Sequence, residues 1–269
     1  MVHPFPSVLD GVVVAAVALL AGGSVATASR LGVSMTALQF AIGALNDIVD
    51  EPADAGRIPP KPIPAGSVGV GTARGVVVIT AGIGLLLAVP SGAATLLVAI
   101  LVLLVGGAYD LFAKGTAWSW LPFAVGIPLL PVYGWLGVSG ALPQSFAILL
   151  PMAVLAGAGL AVANARVDLD TDRVSGTQSV ATALGARGSW WVGLALMAAA
   201  TGLGVLMGDP LAWPLLPLAL VVTGTLVVLS GIVVGRGTTA KARRRAWEAQ
   251  AVGAAIAATG WVAGLLPRP

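Results

Sequence analysis

The chain has 269 residues, of which 58% are hydrophobic and only 9% charged; a soluble domain carries about 25% charged residues, so most of this surface must face lipid. It has no cysteine and one histidine, which excludes disulfides, thiolate chemistry and the usual zinc site and leaves oxygen ligands, hence Mg2+, Ca2+ or Mn2+, for any metal. The net charge of +3 does not indicate nucleic acid, because membrane-length apolar runs separate the basic residues.

A membrane helix needs roughly 20 apolar residues. Runs of that kind predict about nine spans, at 10–29, 31–49, 69–89, 93–112, 117–138, 145–165, 188–207, 212–235 and 246–266. The first run ends in Ala26-Thr27-Ala28, as a cleaved signal does. The preceding segment MVHPFPSVLD has no Lys or Arg, so the run reads as a retained helix. Arg30, Gly32 and Ser34 mark its junction with the second run. Glycine-rich stretches such as AVLAGAGLAVANA suit close helix packing in lipid, where small residues let backbones approach. The expectation is an all-α membrane protein, a single integral domain over residues 1–269, in which about nine transmembrane helices form a bundle.

Charge placement gives an orientation. With nine spans, the loops after the second, fourth, sixth and eighth lie on one side. They and their helix ends hold Arg57, Lys61, Arg74, Lys114, Arg166, Arg173, Arg187, Arg236, Lys241, Arg243, Arg244 and Arg245, leaving Arg30 and Arg268 on the other side. The positive-inside rule then places these loops and the N-terminus in the cytoplasm. Arg243 to Arg245 read as topology signals that also meet anionic lipid. All but one of the acidic residues gather on the same side, Asp209 excepted, with Asp10 at its N-terminal entry. Acidic residues do not follow the topology rule, so their gathering needs another cause.

Two clusters supply that cause. The first is Asn46-Asp47-x-x-Asp50-x-x-x-Asp54, with helical spacings of three and four that put like charges side by side. Pro52 interrupts the helix unless it lies in a distorted end. The second, NARVDLDTDRVSGTQSVATALG, sets Asp168 and Asp172 four apart with Asp170 between them. Each follows an apolar run. Facing each other across a bundle, they could hold one or two Mg2+ ions, whose shells are usually completed by water and phosphate. The plain alternative is a pair of solvated acidic loops. Lys114, just beyond the fourth span in YDLFAK, could meet a phosphate held there, and Tyr109 serves either that site or an interfacial anchor.

These motifs resemble the UbiA superfamily of intramembrane prenyltransferases. NDIVDEPAD matches its N-D-x-x-D-x-x-x-D signature. KPIPAG is similar to R-P-[IL]-P-x-G, with Lys61 in place of Arg. YDLFAK resembles Y-x-x-x-x-K, and DLDTDRVSGTQSVATALG resembles D-x-x-x-D-R-x-x-G with a following Leu-Gly. The likeness runs from about residue 40 to 190, in the family's order and spacing, and the family's nine-helix bundle agrees with the span count.

The resemblance implies an enzyme that transfers an isoprenyl group from an isoprenyl diphosphate to an aromatic or lipid acceptor, with Mg2+ as cofactor and Mn2+ as a substitute. Asn46, Asp47, Asp50, Asp54, Asp168 and Asp172 are then the implied metal ligands. Arg57, Lys61, Lys114 and Arg173 bind diphosphate, and Asp50, Asp172, Lys114 and Tyr109 carry catalysis. The partners are the isoprenyl diphosphate, a lipophilic acceptor and membrane lipid, with neither nucleic acid nor an obligatory protein. The implied setting is a bacterial cell membrane with the site facing the cytoplasm. The first span has Ser24, Thr27 and Ser29 but no Arg, Lys or Asn where many family members contact substrate. This leaves open a terpene cyclase of the same superfamily, which needs no acceptor. A cation transporter would carry charges near mid-span; here they lie at span ends.

Overall fold

The computed structural model describes residues 3–55, 60–237 and 239–266. Among them the regular structure is helical throughout: α1 Pro4–Leu20, α2 Val25–Val49, α3 Glu51–Asp54, α4 Val70–Ala88, α5 Ala93–Ala108, α6 Leu121–Ser139, α7 Phe146–Ala165, α8 Leu169–Ser175, α9 Val180–Gly208, α10 Leu215–Val234 and α11 Ala240–Gly264. Seven helical stretches among these residues are long and apolar enough to cross a bilayer, namely Val25–Val49, Val70–Ser91, Ala93–Ala113, Leu121–Ser139, Phe146–Ala165, Val180–Gly208 and Leu215–Val234. α1 is a shorter apolar helix of 17 residues. α11 opens with Lys241, Arg243, Arg244, Arg245 and Glu248 in its first three turns. The all-α membrane class expected from composition is the class observed.

Several boundaries differ from expectation; α1 begins at Pro4 and α11 at Ala240, each six residues early, and two others differ further. The break between the first two helices lies at residues 21–24, not at Arg30. Gly22 there adopts a left-handed φ of 86°, and the Ser24 side chain accepts from Thr27 N at 3.2 Å to cap α2. α2 runs on through Arg30, whose guanidinium donates to Leu87 O and to Ser91 Oγ. A cation that finds such acceptors need not end a helix. Likewise α9 begins at Val180, eight residues before the expected 188. Ser179 and Thr182 form a reciprocal capping box, and the helix is kinked at Gly185, φ 71°. Arg187 is therefore helical rather than in a loop.

The chain forms two compact units, Met1–Phe112 with Leu129–Leu142, and Ala113–Pro128 with Pro143–Pro269. In the first, α2 packs against α1, α4 and α5. Small residues set those distances, as lipid requires, because apolar side chains gain nothing by leaving a hydrocarbon solvent. A Cβ at Gly11 would stand 2.6 Å from Gly32 O, and one at Gly106 of α5 would meet Ile42 Cδ1 of α2 at 2.4 Å. Ser34 of α2 donates to Gly84 O at 2.6 Å and shares a 2.6 Å hydrogen bond with the buried Tyr133 hydroxyl.

In the second unit α7 packs on α9 and α11 on α10, around Leu160, Met197, Val228 and Ile232. Gly224 and Gly253 press the α10 and α11 backbones together, a Cβ on either meeting the other's carbonyl oxygen within 2.7 Å. Large apolar side chains such as Val78 (71% exposed) and Leu206 (84%) point outward. In water these would be a liability; in lipid they are the expected outer surface.

Candidate functional site

The first acidic set grows from the end of α2. Apolar residues carry that helix to Val49, and Asp50 caps it; α3 then starts with Pro52 in its first turn, where a missing N–H costs nothing. The helical rise persists across the join. Asp50 N donates to Asn46 O at 2.9 Å and Asp54 N to Asp50 O at 2.9 Å, so Asn46, Asp50 and Asp54 occupy successive turns. Pro52 thus starts a new turn, as the distorted-end expectation allowed.

The loop that follows returns Lys61 onto this set. Its Nζ lies 2.6 Å from Asp54 Oδ2, 3.1 Å from Asp47 Oδ1 and 3.8 Å from Asp50 Oδ2. Asp47 and Asp54 are buried, and the lysine side chain is 22% exposed. Burial by itself would lower the lysine pKa, but the hydrogen bonds to Asp54 and Asp47 and their charges hold it above its ordinary value. His3, the residue before α1, brings Nε2 to 3.4 Å from Asp47 Oδ1, which puts the start of α1 at the same end of the unit as the acidic set.

The end of α5 joins the same group. Its last turn widens into a π-helix at Tyr109–Ala113, a form common at functional sites. Asp110, only 3% exposed, accepts a 2.7 Å hydrogen bond from Asn46 Nδ2. Tyr109 opens the π segment and is half-buried. Arg57 lies outside the described residues.

The second set lies in the second unit and is built differently from the expected helix end. α7 stops at Ala165. Arg166 caps it and turns inward, donating to Ser189 Oγ at 2.7 Å, Gly235 O at 2.9 Å and Ala186 O. Burial, with the Arg243 charge nearby, lowers its pKa. The acids then sit on the separate short helix α8, closed by the left-handed Gly176 at φ 73°. Asp172 N donates to Asp168 O at 2.8 Å, so these two carboxylates are one turn apart as their spacing predicted. Asp170 is turned to another partner: Arg243 of α11 donates to its Oδ2 at 2.5 Å. Arg243, expected only to signal topology and meet lipid, is 6% exposed and anchors the acidic helix. Arg173 lies in the last turn of α8 with its guanidinium 4.0 Å from where a Cβ on Gly185 would stand. Lys114 also belongs to this unit, in the turn after the π segment.

The structure therefore gathers Asn46, Asp47, Asp50, Asp54 and Lys61 in one unit and spaces Asp168 and Asp172 in the other. Reasoning from sequence missed Asp110, His3 and Arg243 as members of these groups. Asp110 had a signal, since it lies inside the YDLFAK stretch and is one of only 11 acidic residues. His3 and Arg243 had none, because their partners are distant in the chain.

A divalent cation fits the donor chemistry of the first set. Among the described residues no three His, Asp or Glu side chains stand ready-arranged around a metal. Instead, three carboxylates converge on the Lys61 ammonium, which stands in for a cation at their centre. The donors are hard oxygens, as Mg2+ prefers.

The chain matches the model of the UbiA prenyltransferase family over residues 11–256. Among curated proteins no sequence matches it. Solved structures do. The apo structure of a UbiA homologue from Aeropyrum pernix K1 is similar with TM-score 0.76 and 21% identity, covering 96% of this chain and 98% of that one. A UbiA homologue from Archaeoglobus fulgidus bound to DMAPP and Mg2+ gives 0.72 and 16%, covering 99% and 98%. A digeranylgeranylglyceryl phosphate synthase gives 0.70 and 16%, covering 98% and 94%.

Proposed function

The chain belongs to the UbiA prenyltransferase family, and from that premise we propose that it transfers an isoprenyl group from an isoprenyl diphosphate to a lipophilic acceptor within the membrane, releasing diphosphate. The observation that carries this reading is the convergence of Asp47, Asp50 and Asp54 on a single cation position. Two solved relatives point the same way: the Archaeoglobus fulgidus homologue is bound to DMAPP and Mg2+, and the synthase makes a glyceryl phosphate lipid by its name.

Asn46, Asp50 and Asp54, with Asp47 beside them, and Asp168 and Asp172 are the residues that would hold Mg2+, with Mn2+ as a substitute. When bound, the metal supplies positive charge that stabilises the departing diphosphate. The chain's own cations complete that task. Lys61, Lys114, Arg57 and Arg173 donate to diphosphate oxygens, as charge-assisted hydrogen bonds that strengthen as the C–O bond breaks. Tyr109 would act at the reacting end, and apolar, water-excluding surroundings would protect the allylic cation until the acceptor captures it. The acceptor is aromatic or a lipid. In this reading the membrane is a bacterial cell membrane and the site faces the cytoplasm, an orientation supported by the positive-inside rule applied to the basic residues.

The deciding experiment incubates membranes containing the protein with labelled prenyl diphosphates, alone and with a panel of aromatic and lipid acceptors, and weighs the products. A prenylated acceptor with equimolar diphosphate is the expected result. A cyclised hydrocarbon formed without acceptor would replace transfer with cyclisation, and no diphosphate release under any condition would sink both.

A further inference from the structure

Asp110 is buried, acidic, and set beside a group that already holds three carboxylates. A fourth carboxyl group there demands a reason. The reason lies in what it touches. Asn46 Nδ2 donates to Asp110 Oδ1 at 2.7 Å. Oδ1 is the acceptor in this contact, so Asp110 fixes which end of the Asn46 amide faces it. The NH2 is committed to Asp110, and the amide oxygen, on the opposite side of Cγ, is turned away from it.

Two features of α5 deliver this contact. Gly106 lets the helix backbone close onto Ile42 of α2, at a distance that any side chain would forbid. Asp110 then sits within the π turn at Tyr109–Ala113 and meets α2 at the level of Asn46.

We propose that Asp110 is a positioning residue: it orients Asn46 so that the amide oxygen, not the amide nitrogen, is presented as a ligand to a divalent cation held with Asp50 and Asp54. The inference rests on the reading that the first acidic set binds metal. Outer partners of this kind typically change metal affinity about 10- to 100-fold when removed, without touching the metal themselves.

The test is Mn2+ binding to purified protein in nanodiscs without substrate, followed by the loss of the free-ion electron paramagnetic resonance signal. Asp110→Leu removes the acceptor at similar size and should weaken Mn2+ binding by about 10- to 100-fold. Asp110→Asn keeps an acceptor oxygen for Asn46 while removing the charge, and should bind close to wild type. In an Asn46→Ala background, Asp110→Leu should have no further effect. Should Asp110→Leu fail to accumulate, Asp110→Ala, smaller and equally without an acceptor, takes its place. The proposal is overturned if the acceptor-less variant binds like wild type, or if Asp110→Asn is as weak as Asp110→Leu, which would make the charge and not the orientation the cause. Equal losses in the presence and absence of Asn46 would overturn it too. In each of those cases wild type still binds and Asp50→Asn does not. A wild-type protein that binds no Mn2+ overturns the metal reading itself and this inference with it.

Discussion

Lys61 Nζ lies 2.6 Å from Asp54 Oδ2, and the same ammonium is 3.1 Å from Asp47 Oδ1. One flexible cation thus holds together carboxylates that would otherwise repel at helical spacing. A metal entering this set must displace or share it. Lys61→Gln should therefore tighten Mn2+ binding to the substrate-free protein several-fold and raise KM for the prenyl diphosphate. Titration of both constants checks this, and weaker Mn2+ binding in the variant would show that the ammonium does not compete for the cation position.

The raised pKa of Lys61 gives a pH expectation with a definite sign. A raised folded-state value contributes stability that is complete below the ordinary lysine value of 10.5 and is lost as pH rises through the folded one. The stability difference between wild type and Lys61→Gln should therefore be constant between about pH 7 and 9 and shrink only in strong base, as read by thermal unfolding of both proteins across that range. A difference that fades near neutrality would contradict the pairing.

Removal of divalent metal should abolish activity. All the candidate ligands are oxygens, so EDTA should stop turnover, and Mg2+ or Mn2+ should restore it. Full turnover in chelator would remove the metal from the proposed mechanism.

The proposed function has both acidic sets act on the departing diphosphate. Asp50→Asn and Asp172→Asn should each lower kcat by about 100-fold or more, since stabilisation of the leaving group is the main catalytic effect invoked. The double variant should be scarcely worse than either single one, because groups acting as a unit are strongly non-additive. Asp209→Asn is the control. Asn tolerates the left-handed backbone at this position, φ 43°, so activity should stay near wild type. Additive losses in the double variant would mean that the sets act on separate events.

Orientation can be read by thiol labelling, since the chain has no native cysteine to interfere. Cysteine at Ala65 should react only with reagents that reach the cytoplasm, and cysteine at Ala141 with those confined outside. The reverse pattern would invert the topology drawn from the basic residues.

Much of this protein could be read before any coordinate was known. Apolar length alone located most of the helices, because a lipid solvent leaves so few ways to satisfy a backbone. Spacing placed Asn46, Asp50 and Asp54 on successive turns, and Asp168 and Asp172 one turn apart. That holds whether the helix is long or, like α8, only seven residues, since the i to i+4 bond is local. The motifs identified the family for the same reason: they are short and contiguous.

Tertiary structure decided everything that joins residues far apart in the chain. Arg30 looked like a helix boundary and is interior to α2, because acceptors at Leu87 and Ser91 satisfy it. Arg243 looked like a topology signal and instead grips Asp170, 73 residues away. Asp110 reaches Asn46 across 64 residues only because Gly106 lets two helices touch. Local pattern dictates which turn a side chain stands on, through backbone hydrogen bonds between near neighbours. Which partner it meets there depends on how closely two helices pack and how each is rotated, and that is set by the small residues at their crossing rather than by the motif itself.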